Sequence, residues 1–173
     1  MRHAGFTVKY LLLLAAQVLL WNFCNFTPLL VIALLPVMIL GLPLKCSTPM
    51  SMLIAFVSGF AVDFLVGGPL GLSCLALVPV AFLRRIVLSA VFGSELFARG
   101  EEISTGRLGW SKMLLAAVLL NAVFLLIYII ADSAGTVPFW AMTVKFIASL
   151  ALNSALALPV ANLLCPDPEA RWR

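Results

Sequence analysis

Charge is scarce in this chain of 173 residues: Asp, Glu, Lys and Arg make up 10% of it, against 64% for the apolar types. A soluble domain is about 25% charged and about 45–50% apolar, so an ordinary water-exposed globular surface is excluded. There is one histidine, His3, in the N-terminal tail. A histidine-based zinc site or a Ser-His-Asp set has almost nothing to be built from. The four cysteines, Cys24, Cys46, Cys74 and Cys165, lie far apart without a C-x-x-C. They read as small apolar fillers and not as a disulfide framework. Internal repeats and low-complexity segments are also missing, and so is the room for a separate soluble domain of ordinary size. The reading is a non-enzymatic protein with no cofactor and no metal.

Long apolar runs are what the chain does have. A membrane-crossing helix takes about 20 mostly apolar residues, and six segments come close: Tyr10 to Phe26, Leu29 to Leu44, Met50 to Val66, Leu70 to Phe92, Trp110 to Ala131 and Val137 to Leu164. The second is short and broken by Pro36; the fourth contains Pro79 and the sixth Pro159. The first follows a basic start, as in a signal peptide, but continues Trp21-Asn22-Phe23 without a small-x-small cleavage site. It reads as an uncleaved helix. The expected fold is an all-α polytopic membrane protein, one domain over residues 1–173, with a cytoplasmic loop over residues 93–111.

The basic residues set the orientation. With the N-terminus inside, Arg2, Lys9 and Lys45 face the cytoplasm. So do Arg84, Arg85, Arg99, Arg107 and Lys112, assigned between the fourth and fifth helices, and Arg171 and Arg173 at the end. Ten of the eleven Lys and Arg residues then share one side, as the positive-inside rule requires. Six spans with both termini cytoplasmic satisfy this; an odd number scatters the charges. The long loop reads as solvated, with Ser94 to Arg99 able to lie on the membrane surface. Its basic residues favour anionic lipid, at about 1 kcal/mol each near the surface, and do not indicate nucleic-acid binding.

The stretch Phe56 to Arg85 is the most informative. It sets Asp63 in an apolar helix, then a Gly67-Gly68-Pro69 turn and Gly71, then a second apolar run reaching Arg84-Arg85. An ionisable group in a span marks a functional hypothesis, since it costs about 2.5–3.5 kcal/mol at a helix centre. Asp63 lies about 4.5 Å from the outer end of its helix. The eleventh basic residue, Lys145, lies about 10 Å deep in the sixth and can snorkel outward. An Asp63–Lys145 ion pair is expected, with separate solvation of each as the plainer alternative. Ala55 and Gly59 make a small patch that admits another backbone. With Asp63, Gly67, Gly68 and Gly71 it forms either a partner-docking face or the packing between the third and fourth helices. The amides Gln17, Asn121 and Asn153 sit near helix middles and seek hydrogen bonds across helices, as fold glue or as the lining of a small-ligand cavity. Asp132 reads as a solvated cap on the fifth helix.

These residues also carry a resemblance. A helix with a G-x-x-x-D pattern, a glycine turn, an L-G element and a second apolar helix with small residues is read here in Gly59, Asp63, Gly67, Gly68, Leu70, Gly71 and Ala76. Gln17 in the first helix, Pro28 opening the second and Leu42-Pro43 closing it add to the pattern. Together they resemble the bacterial rod shape-determining MreD family, over residues 10–164. Phe82-Leu83-Arg84-Arg85 looks like the versions found in Bacteroidetes. Lys145 and Asn153 are not carried over from the family.

The resemblance implies a multi-pass protein of the bacterial inner membrane, with a fold similar to the substrate-binding subunits of energy-coupling-factor vitamin transporters. It implies a scaffold of the elongation (Rod) complex that serves cell shape and peptidoglycan synthesis. Such a scaffold docks MreC, and through it links MreB to the glycosyltransferase RodA and its partner transpeptidase. The alternative is a vitamin-type uptake subunit with Gln17, Asn121, Asn153 and Asp63 in a cavity. The Ala-x-x-x-Ala docking pattern common in the first helix of such subunits is missing, because Ala15 and Ala16 are adjacent.

Overall fold

The computed structural model describes residues 2–23, 30–93, 109–134 and 137–164. Among them the regular structure is entirely helical: α1 (Arg2–Phe23), α2 (Leu35–Leu40), α3 (Thr48–Val66), α4 (Leu72–Phe92), α5 (Trp110–Ser133) and α6 (Phe139–Leu164). All but α2, five helices in total, are long and apolar enough to cross a membrane. The all-helical class expected from composition is what the described residues adopt, and the five long apolar helices agree with a multi-pass membrane protein. The cytoplasmic-loop reading, with its surface segment Ser94 to Arg99, falls mostly outside the described residues, as do Cys24 and Cys165. Cys46 and Cys74 are free thiols.

Helix ends follow local chemistry. Proline occupies the first turn of α2 and of α3, where its missing N–H is no loss and its fixed φ suits a helix. α3 stops at Gly67, whose φ of 74° is the left-handed conformation glycine adopts without a Cβ penalty. Its N–H closes on the Asp63 carbonyl at 3.1 Å.

The second predicted span is corrected. Residues 30–34 are not helical, and α2 has six residues, about 9 Å of helix. Together they run in the same direction as α6, from Val31 beside Ser149 to Gly41 beside Leu164. The whole of α2 is buried, and it packs against α4, α5 and α6. Leu35, Met38, Ile39 and Leu40 join Leu77, Leu88, Met113, Leu120, Phe124 and Leu125 in the fully covered core. The outer helices pack in chain order, α3 on α4, α4 on α5 and α5 on α6. A second correction concerns Arg84 and Arg85. They lie within α4, which continues to Phe92, and Arg84 is buried.

Candidate functional site

Backbone without helix partners cannot stand in hydrocarbon, where each unmet N–H or C=O costs several kcal/mol. The chain resolves this for residues 31–34 with side chains from both flanking helices. On the α6 side, Val31 N–H donates to Ser149 Oγ at 2.9 Å and Ala33 N–H to Asn153 Oδ1 at 2.9 Å. Asn153 Nδ2 returns a bond to the Val31 carbonyl at 3.0 Å. On the α1 side, Leu34 N–H donates to Gln17 Oε1 at 2.7 Å, and Gln17 Nε2 donates to the Ile32 carbonyl at 3.0 Å. Trp21 Nε1 donates to that same carbonyl. Residues 31 and 33 thus face α6 while 32 and 34 face α1, the alternation of an extended strand. Each amide plays the part of a neighbouring strand, donating and accepting at once.

The spacing explains why one helix can serve as a strand edge. Residues four apart on a helix are separated by about 6 Å along its axis, and residues two apart on a strand by about 6.6 Å. Ser149 and Asn153, one turn apart, therefore meet Val31 and Ala33. The same row continues with Ala157 and Ala161, both buried. It is polar beside the non-helical stretch and small and apolar further along.

The other end of the segment is held by Arg84. Its Nε donates to the Leu40 carbonyl at 3.3 Å, and its Nη2 to the Leu42 carbonyl. These are orphan carbonyls at and beyond the end of α2, where a cation also suits the helix dipole. Gln17 and Asn153 were legible as fold glue, although their partners are backbone groups of the broken segment and not other helix side chains. Arg84, Ser149 and Trp21 were missed. The available signals were the i, i+4 spacings Ser149/Asn153 and Gln17/Trp21.

The α3–α4 hairpin is the second constellation. A Cβ on Gly59 would lie 3.0 Å from Cys74 N and 3.1 Å from Cys74 Cα, so the two backbones are in contact there. One turn on, buried Asp63 accepts from Gly71 N–H at 2.9 Å and from Ser73 N–H at 3.0 Å, both to Oδ2. Gly71 stands at the N-cap of α4 with φ 93° and no side chain to cap with. Asp63 supplies the missing capping carboxylate from the neighbouring helix, where the dipole favours an anion. Cys74 Sγ adds a contact to the Phe56 carbonyl at 3.3 Å. Ala55 is fully buried. Nothing lies within 4 Å of a Cβ built on Gly68, so no close contact depends on its lacking a side chain.

The expected Asp63–Lys145 pair is not formed. Lys145 Nζ bonds Asp132 Oδ2 at 2.8 Å, joining α5 to α6. Asp63 is satisfied by backbone donors, and Asp132 is a partner instead of a solvated cap. Asn121 is fully buried, and neither amide atom has a partner among the described residues. Among those residues no group of three or more His, Cys, Asp or Glu side chains gathers into a metal-binding cluster. No protein-family model, characterised protein or solved structure matches the chain.

Proposed function

We propose that this chain is a non-enzymatic integral membrane scaffold of the bacterial cell-elongation complex. It crosses the inner membrane six times with both termini cytoplasmic, docks an MreC-like protein, and so connects MreB to RodA and its partner transpeptidase in peptidoglycan synthesis. The observation that carries the reading is that the family-resembling residues Gly59, Asp63 and Gly71 act together in one hairpin. The resemblance therefore rests on a working structural unit and not on apolar composition. The course of residues 31–41 beside α6 supports the six-crossing count. Exposed Trp110 at one end of α5 and Trp140 near the opposite end of the bundle suit the two interfaces, where indole rings concentrate.

Ala55, Gly59 and Asp63 are covered by the protein's own packing. Partner contact then falls to outward helix faces. In lipid such contact comes from close packing, without a hydrophobic drive between helices.

One observation favours a second reading, the vitamin-type uptake subunit. Broken segments deep in a bundle mark substrate sites in many transporters. Mild-detergent purification from native membranes separates the two. Co-purification of a single-span coiled-coil protein with cell-wall synthases supports the scaffold; an ATPase pair in their place overturns it.

A further inference from the structure

Two consecutive arginines of α4 have opposite surroundings. Arg84 is buried and donates to the Leu40 and Leu42 carbonyls. Arg85, turned about 100° from it on the helix, is exposed. Exposed Phe82 and Ile86 flank it, so this charge stands on an outward apolar face. Its level follows from the packing of the hairpin. Gly59 meets Cys74 where the two backbones touch. Eleven residues further along each antiparallel helix, from 74 to 85 and from 59 to 48, lie Arg85 and Thr48, the first residue of α3. Lys45, three positions before Thr48, is exposed as well. The two acidic side chains among the described residues are engaged elsewhere. Asp63 accepts from the start of α4 at the far end of the hairpin, and Asp132 pairs with Lys145.

We infer that Arg85 and Lys45 form a seat for phospholipid phosphate at this end of the α3–α4 hairpin. A charge on a bilayer-facing surface has to meet a polar partner, and headgroup phosphate is the anion that the bilayer supplies at a helix end. The guanidinium fork matches two phosphate oxygens at once. It carries five N–H donors, enough to hold a phosphate beside a contact within the chain. Lys45 adds a point charge on a long stem, which reaches a headgroup from outside the helix. In the proposed topology the leaflet is the inner one; the contact itself does not depend on that topology.

The test uses the full chain, with ¹⁵N-labelled arginine and lysine, in phosphatidylethanolamine and phosphatidylglycerol bilayers without phosphate buffer. Lipid is then the only source of ³¹P. Solid-state NMR reads the ³¹P dephasing of each side-chain nitrogen. Signals are assigned by their loss in Arg85→Lys and Lys45→Arg, or by correlation to their own backbone should a variant not fold. The expected result is ³¹P dephasing at Arg85 and at Lys45, and none at Arg84, which carbonyls hold inside the bundle. No dephasing at Arg85, or none at Lys45, overturns the seat. Equal dephasing at Arg84 overturns it too, because phosphate contact would then not follow the outward face. Dephasing that appears only after inorganic phosphate is added overturns the lipid as its source.

Discussion

The two constellations solve opposite problems. In the α3–α4 hairpin the backbones are complete helices, and the task is to bring them together; glycine does this by omission, and Asp63 then closes the one open helix end. In residues 30–42 the backbone is incomplete, and the task is to satisfy it; long polar side chains reach in from α1, α4 and α6. The hairpin is therefore tolerant of what surrounds it and intolerant of bulk. The broken segment is intolerant of losing a donor or acceptor.

The largest effect is expected where that difference is greatest. Asn153→Leu removes one acceptor and one donor, leaving Ala33 N–H and the Val31 carbonyl unmet in an apolar interior. Each stranded group costs about 1–3 kcal/mol, so a loss of about 2–6 kcal/mol is expected in unfolding from lipid bicelles. A value near the roughly 0.6 kcal/mol of an ordinary interhelical hydrogen bond would remove the distinction between the two regions. Gln17→Leu is expected to act in the same way through Leu34 and Ile32.

Gly59→Leu comes next. Its side chain meets the backbone of Ser73 and Cys74, which cannot rotate aside, so α3 and α4 must part. Overpacking of this kind costs about 1–3 kcal/mol, occasionally more. Gly68→Leu, in the turn of the same hairpin but facing open space, is expected to be neutral by the same unfolding measurement. If the proposed scaffold function is right, Gly59→Leu also lowers recovery of the MreC-like partner, while Gly68→Leu leaves it intact. Asp63→Ala removes the cap of α4 and is expected to cost about 1–2 kcal/mol, with Asp63→Asn milder because one amide oxygen can still accept.

Run length and composition made the long helices legible, because a bilayer demands the same apolar length of each. The second segment misled for a physical reason. Leu29 to Leu44 is apolar throughout, and hydropathy measures whether residues can sit in lipid, not how their backbone is bonded. Its true state was written elsewhere, in Gln17, Ser149 and Asn153, residues 15 to 122 positions away by the bonds they make. Arg84 was counted as a topology signal, and the pattern of basic residues cannot separate a cytoplasmic arginine from one that turns inward to cap a helix. Glycine spacing in the hairpin was legible because contact of two backbones admits few other residues.

The smallest effect is expected at the pair that replaces the Asp63–Lys145 expectation. Depth alone suggested that pair, but depth does not say which helix faces which. α6 packs on α5, which puts Asp132 and not Asp63 within reach of Lys145. The Lys145 and Asp132 side chains are 16% and 36% exposed, so water and headgroups share in solvating them. A double-mutant cycle on Lys145→Met and Asp132→Asn should give a coupling of about 0.2–1 kcal/mol. The corresponding cycle on Lys145 and Asp63 should give none within error. A coupling for Asp63 above that range would place the two charges together after all and return the hairpin acid from a helix cap to an ion-pair partner.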